Sequence, residues 1–302
     1  MGKLEGAGEI AEKMSLARPR HFTYFDQVNQ LVEAREADPD TGFMARLMML
    51  CSLPRKNPGD RFQYRRVNGP YTLILSRTGE YKLPYGSIPR LLLAWVCTEA
   101  VQTQSRELSL GTSLAEFMRK IGIYNSGGNP QLRLRNQMQR LFRCTVELSQ
   151  RNEAGERFIA SRIADRGEFW WDPKRPDETV LWESKIRLGE DFFNEIISNP
   201  VPLDLNILKA LKRSSLGLDL YLWLTYRTFS LKRPLRLSWK ALYRQFGANP
   251  AKTSDRVTVD NFRRKVLREL KNVKTAWPGL NYETAKGVLV LSPSKPAIPP
   301  VE

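Results

Sequence analysis

Two stretches of the chain repeat one order of apolar and polar positions. In the first, a mostly apolar stretch from Ile88 to about Gln104 predicts a buried helix, and Glu107-Leu108-Ser109-Leu110 alternates as a short strand. Helices over Leu114 to Ile121 and Pro130 to Arg143 follow. About 126 residues later the same order recurs, with an apolar helix from about Leu216 to Phe229, a strand at Leu235-Arg236-Leu237, and helices over Trp239 to Phe246 and Val259 to Lys274. Trp95 then falls opposite Trp223, Leu108 and Leu110 opposite Leu235 and Leu237, and Gly122 opposite Gly247. Arg135 and Arg140 fall opposite Arg263 and Arg268.

Each last helix is followed by alternating runs around a polar turn: Val146 to Ile163 about Asn152-Glu153-Ala154-Gly155, and Tyr282 to Leu291 about Lys286-Gly287. Helix, strand, helix, helix, hairpin is the winged-helix order, in which the last helix enters the DNA major groove. The expected fold is therefore α+β, two tandem winged-helix domains from an internal duplication. An α+β domain with these elements and no DNA partner is the alternative, and the two final helices decide between them.

In the second of these helices Val259, Phe262, Val266, Leu270 and Val273 form an apolar stripe. The rest of its surface carries Arg263, Arg264, Lys265, Arg268, Lys271 and Lys274 against Asp260 and Glu269. Thr258 is the expected N-cap, with Asp260 in the positive first turn. In the first helix Leu134, Met138 and Leu141 make the stripe, while Arg133, Arg135, Arg140 and Arg143 have no opposing acid. Asn129 and Pro130 mark its start, and Ser113 to Glu116 opens the helix before it as a capping box. A solvated face would mix acids with bases, whereas guanidiniums unopposed at matching places in a repeat suit phosphates and guanine edges. Asn261 and Arg264, near the start of the second helix, are the expected base readers; the later arginines and lysines suit phosphate.

The overall charge supports this reading. Lys and Arg number 48 against 32 Asp and Glu, a formal charge of +16, which attracts polyanions. The chemistry available points away from catalysis. His21 is the only histidine, so neither a zinc site nor the paired-histidine site of a rolling-circle nickase can be built, and no metal or cofactor is expected. There is no phosphate-binding G-x-x-x-x-G-K-[ST] loop and no G-x-S-x-G elbow, and metal chemistry on carboxylates alone has no positive support. Cys51, Cys97 and Cys144 sit in apolar stretches as reduced core thiols do. The first residues lack the apolar run of a secretory signal, and runs such as Leu91 to Val96 are too short to span a bilayer, so a cytoplasmic protein is expected.

Several further runs, Leu16 to Thr23, Tyr85-Gly86 through Arg90 to Trp95, Phe169-Trp170-Trp171-Asp172 and Leu211 to Tyr221, resemble the RepA-type plasmid replication initiators. The likeness extends from about Leu16 to Pro296. It implies an initiator that binds repeated origin sites, the iterons, as a monomer, promotes origin opening and recruits host helicase and initiator proteins. It also implies a dimer in equilibrium with that monomer, repressing its own promoter. Carried over by position, Arg263, Arg264 and Arg268 lie in the main recognition helix and Arg133, Arg135 and Arg140 in the accessory one. A dimeric winged-helix repressor without a replication role is the competing reading.

The expected layout is a flexible segment over 1–21, a first winged-helix domain over 22–173 that also dimerises, connecting elements over 174–204 with a linker from Lys174 to Glu183, a second winged-helix domain over 205–291, and a proline-rich tail over 292–302. Phe43 to Leu53 reads as a short helix and Tyr71 to Ser76 as a strand, both favouring core over a dimer seam. For Phe169-Trp170-Trp171 burial is favoured over a base-stacking platform.

Overall fold

The computed structural model describes residues 24–123, 129–247 and 255–298, so the expected flexible segment over 1–21 lies outside the described residues. The first unit is built on helix α3 (Ser87–Thr103), which is apolar on every side and buries eleven of its residues, as a central core helix must. It ends at Gln104, whose left-handed φ of 51° turns its N–H onto the Ala100 carbonyl. Strand β4 (Glu107–Gly111) follows, then α4 (Leu114–Lys120), capped by Ser113, and α5 (Pro130–Arg143), capped by the Asn129 side chain on the Leu132 amide at 2.9 Å. The caps expected at Ser113 and Asn129 are both present.

The hairpin after α5 forms, as β5 (Thr145–Asn152) and β6 (Gly155–Arg162), but it does not pair with β4. It extends the sheet of β2 (Gln63–Asn68) and β3 (Tyr71–Ser76) in the order β2-β3-β5-β6, because Leu73 and Leu75 of β3 sit opposite Leu148 and Val146 and close one apolar face. The partner of β4 is β8 (Ser184–Leu188), which also pairs with β7 (Ala164–Glu168). The stretch from Lys174 to Glu183, expected as a linker, lies within the connection between these two strands of one sheet. The connection is anchored locally: Trp171 is buried against Phe117 at 5.4 Å and donates to the Gly111 carbonyl, and the Ala115 amide donates to Pro176. Burial therefore holds for Trp171, while Trp170 stays half exposed.

The region over 174–204 also contains α6 (Glu190–Ser198) and β9 (Pro200–Asp204), the latter paired antiparallel with β1 (Thr41–Ala45). Residues 43–53, expected as one helix, divide between β1 and the short α2 (Arg46–Leu50) and then leave helix at Cys51. After α7 (Leu205–Ala210) the second unit repeats the plan with α8 (Ser215–Phe229), β10 (Leu235–Ser238), α9 (Trp239–Phe246), α10 (Arg256–Ala276), β11 (Tyr282–Ala285) and β12 (Val288–Leu291). Its strand order, β10-β12-β11, matches β4-β8-β7 of the first unit. Helix α10 begins earlier than expected: Asp255, not Thr258, is the cap, accepting from the Val257 amide at 3.0 Å and the Thr258 amide at 3.3 Å. Asp260 consequently sits beyond the first turn.

The described part of the proline-rich tail packs on the turn after α10, where Lys295 accepts from the Trp277 indole at 2.9 Å and Pro293 from the Asn281 side chain at 3.0 Å. Helix α1 (Tyr24–Glu36) packs against α7 and α10, so one continuous core runs through both units. Two buried arginines lock the junction. Arg90 of α3 meets Asp219 of α8 through two bonds, Nε to Oδ1 at 2.6 Å and Nη2 to Oδ2 at 2.8 Å, with side chains 2% and 5% exposed. Arg66 of β2 donates to the Gly247 carbonyl at 2.9 Å and the Arg244 carbonyl at 3.2 Å, at the end of α9. Cys51, Cys97 and Cys144 are all buried, and burial pushes each thiol up to about 12.

Candidate nucleic-acid interface

Helix α10 turns its apolar stripe of Val259, Phe262, Val266, Leu270 and Val273 into the core. Opposite, at helical spacing, Val257, Asn261, Arg264, Arg268 and Lys271 are exposed in one row, with Arg263 and Lys265 exposed on its flanks. Asn261 and Arg264 are joined directly, the guanidinium donating to the amide oxygen. Arg263 lies over the Trp239 ring at 5.7 Å, which holds it toward α9. Lys274 is turned away from this row: its ammonium donates to the Pro278 carbonyl at 2.7 Å and to that of Leu280, tying down the turn after the helix.

Of the two acids that diluted this face in the sequence, Glu269 is 3% exposed and points inward. It accepts from Asn272 at 3.3 Å and from Arg268 at 3.1 Å, and its carboxylate lies so near the first turn of α8 that a side chain at Gly217 would meet it at 3.0 Å. The positive end of α8 suits that charge. Asp260 remains exposed, 3.9 Å from Arg256. The outward face of α10 thus loses Glu269 but also Lys274, and keeps five basic residues against Asp260.

Helix α5 presents a thinner version. Arg133, Arg135 and Arg143 are exposed, while Arg140 is half-buried, stacked over Tyr85 at 5.3 Å with a bond to the Leu83 carbonyl at 3.4 Å. Arg143 lies over Tyr81 at 4.4 Å. The two arginines near its end are therefore steadied by the segment before α3. The register of the two helices also differs from the sequence alignment. The spacing that relates the caps Ser113 and Ser238 relates buried Leu134, Gln137 and Leu141 to buried Val259, Phe262 and Val266, which sets Arg143, not Arg140, opposite Arg268. The outward row of α5 in that register is Leu132, Asn136, Gln139 and Arg143. Sequence reasoning passed over Leu132, Asn136 and Val257 because it searched these faces for charge.

Among the described residues no cluster of three or more His, Cys, Asp or Glu side chains could hold a metal ion, and no helix is long and apolar enough to cross a membrane.

Residues 83–240, more than half of the chain, match the model of the family described as plasmid encoded RepA protein. The chain belongs to this family. The RepA match takes in α3 to α5 and both junction residues Arg90 and Asp219, and it stops before α10. Two crystal structures of domains 2 and 3 of RctB, one of them a selenomethionine form, share the fold over a longer span. The selenomethionine form is 14% identical with a TM-score of 0.53, covering 82% of this chain and 96% of its own. The other is 14% identical with a TM-score of 0.50, covering 80% and 92%. No curated protein matches the chain. As a RepA-family member the chain is a plasmid replication protein with a mixed α+β fold.

Proposed function

We propose that the protein is a plasmid replication initiator that binds duplex DNA at the origin through two winged-helix units, with α10 as the main recognition helix and α5 as the accessory one. The observation that carries this reading is the outward row of α10, which sets Asn261, Arg264, Arg268 and Lys271 side by side on a helix that follows a helix–strand–helix and precedes a hairpin. Arg263, Lys265, Arg133, Arg135 and Arg143 flank or parallel that row and suit phosphate contacts; Arg140 and Lys274 act chiefly as braces for their own helices.

The two units share one continuous core and are unequal in surface, so the monomer should favour directly repeated sites, the iterons, while promoter repression falls to a dimer with palindromic preference. The remaining roles of the proposal, origin opening and contact with host helicase and initiator proteins in the cytoplasm, are those that the RepA resemblance implies. No catalytic step is assigned to the protein: it acts by binding, with no metal or cofactor.

The test is affinity across a salt titration for direct-repeat, inverted-repeat and scrambled duplexes taken from DNA flanking the gene. Preference for direct repeats, with no nicking in magnesium or manganese, is the expected result. Preference for the palindrome alone would favour the repressor, and indifference to sequence at every salt would overturn specific recognition.

A further inference from the structure

Both final helices begin with a large apolar side chain facing solvent. Val257 is 69% exposed at the second position of α10, and Leu132 is 46% exposed at the third position of α5. A lone exposed apolar residue needs no explanation. These two share more than exposure. Each is followed one turn later on the same outward row by an exposed asparagine, Asn261 after Val257 and Asn136 after Leu132. The spacing that relates the caps Ser113 and Ser238 relates both pairs, so the two units carry the same apolar–Asn device at the same place. Basic side chains continue each row, Arg264 and Arg268 in one and Arg143 in the other; the exposed acids nearest Val257 are engaged locally, Asp255 as the helix cap and Asp260 beside Arg256, so each row as a whole suits a polyanion.

In the major groove only the thymine edge offers an apolar group, its C5-methyl, and asparagine is matched to the adenine N6 and N7. Resting on the DNA-binding reading above, we infer that Val257 with Asn261, and Leu132 with Asn136, read A·T pairs, the aliphatic side chain packing on the thymine methyl and the asparagine reaching an adenine edge. Arg264 donates to the Asn261 oxygen, which orients the amide with its NH2 group free to donate to the adenine N7 and leaves the oxygen's second lone pair to accept from the adenine N6 amino group, the contact that guanine lacks. Val257 is thereby a specificity-determining residue, and Asp255, bonded to the Val257 and Thr258 amides, holds it at the helix start.

The test replaces each thymine in turn by uracil in the duplex bound most tightly in the salt titration, deleting one methyl group and no hydrogen bond. For the unaltered protein, replacement at one position per half-site should weaken binding about fourfold, the loss of one buried methyl at about 0.8 kcal/mol. Val257→Ala should reduce the penalty at the α10 half-site only, and Leu132→Ala at the other only, with thermal midpoints unchanged because both side chains are exposed. Uniform tolerance of uracil by the unaltered protein, or the same uracil pattern in both variants, would overturn the inference while leaving DNA binding intact. Failure of the unaltered protein to bind any unmodified duplex would remove the DNA reading itself, and this inference with it.

Discussion

The buried pair Arg90–Asp219 permits a quantitative test of how the two units are held. Arg90 donates to both Asp219 oxygens and also to the carbonyls of Leu53 at 2.8 Å, Gly86 at 2.5 Å and Pro54 at 3.4 Å. Asp219→Leu leaves the guanidinium in place with those carbonyls still in contact, so the loss should lie near the lower end of the range for breaking a buried pair, about 3 kcal/mol. Arg90→Leu strands the carboxylate inside α8 and removes a donor from three carbonyls, which pushes the loss toward about 5 kcal/mol. An unfolding entropy of about 2.1 cal/mol/K per residue over 302 residues is about 0.6 kcal/mol/K, so these losses lower Tm by about 5 and 8 °C. The double variant carries no charge at this pair and should recover at least about 2 kcal/mol relative to the sum of the single losses. Scanning calorimetry of the four proteins closes the cycle. A shift below about 1 °C for Arg90→Leu, or strict additivity, would refute the view that this pair locks the junction. Where the lock sets the spacing of α5 and α10, Asp219→Leu should also weaken binding to a two-site duplex while leaving a single half-site unaffected.

Other substitutions probe separate parts of the structure. Arg264→Ala should cost about 1–3 kcal/mol on specific duplex and little on scrambled duplex, whereas Lys274→Ala, which frees the turn held at Pro278, should lower the unfolding midpoint and leave the salt dependence of binding alone; equal losses on both duplexes for Arg264→Ala would defeat its base-reading role. Gly189→Ala would drive a Cβ into the Arg162 carbonyl and set it 2.7 Å from the Ser161 hydroxyl, so a loss of about 1–3 kcal/mol in urea unfolding is expected. Burial, reinforced by Arg213 and Lys209, pushes the Lys212 ammonium down to about 8 from 10.5. The unfolded chain then binds this proton more tightly, so its contribution to stability rises as pH climbs from about 8 toward 10.5 and the full penalty is present below 8. Relative to Lys212→Met, the unaltered protein should therefore gain stability between about pH 8 and 9.5; a pH-independent difference in urea midpoints would count against this.

What could be read from the sequence followed how local each signal was. The helices α3, α4, α5, α8 and α9 were legible because stripes and caps lie within each element, and the Asn129 and Ser113 caps behave as their residue types dictate. The start of α10 was misplaced by about one turn because Thr258 is also a good cap, and only the bonds from the Val257 and Thr258 amides single out Asp255. The pairing of β5–β6 was not legible. A hairpin announces its turn, but not which strand its outer edge joins, and here Leu73 and Leu75 of β3 supply the matching apolar face. The true partner of β4, β8, lies beyond that hairpin and beyond β7, after a connection whose polar, proline-containing stretch from Lys174 to Glu183 reads locally as a linker. The internal direction of Glu269 was likewise invisible, since a glutamate on a basic helix looks solvated until Gly217 is seen to make room for it.

The inserted hairpin explains why the two units are unequal. In the second unit β11–β12 follows α10 directly, and the helix keeps a long outward row ending in Arg264, Arg268 and Lys271. In the first unit β5 leaves the end of α5 to join β3, and the segment leading from β3 to α3 passes beside that end, where Tyr81 and Tyr85 take up Arg143 and Arg140. The corresponding row of α5 then offers one half-buried glutamine and one stacked arginine where α10 offers two arginines and a lysine. Two helices in the same topological place thus differ in the charge they can carry into a groove, and the difference traces to which sheet the following hairpin joins. Under the DNA reading, α10 therefore supplies the larger share of the salt-dependent affinity, and α5 contributes mainly position and its Leu132–Asn136 pair.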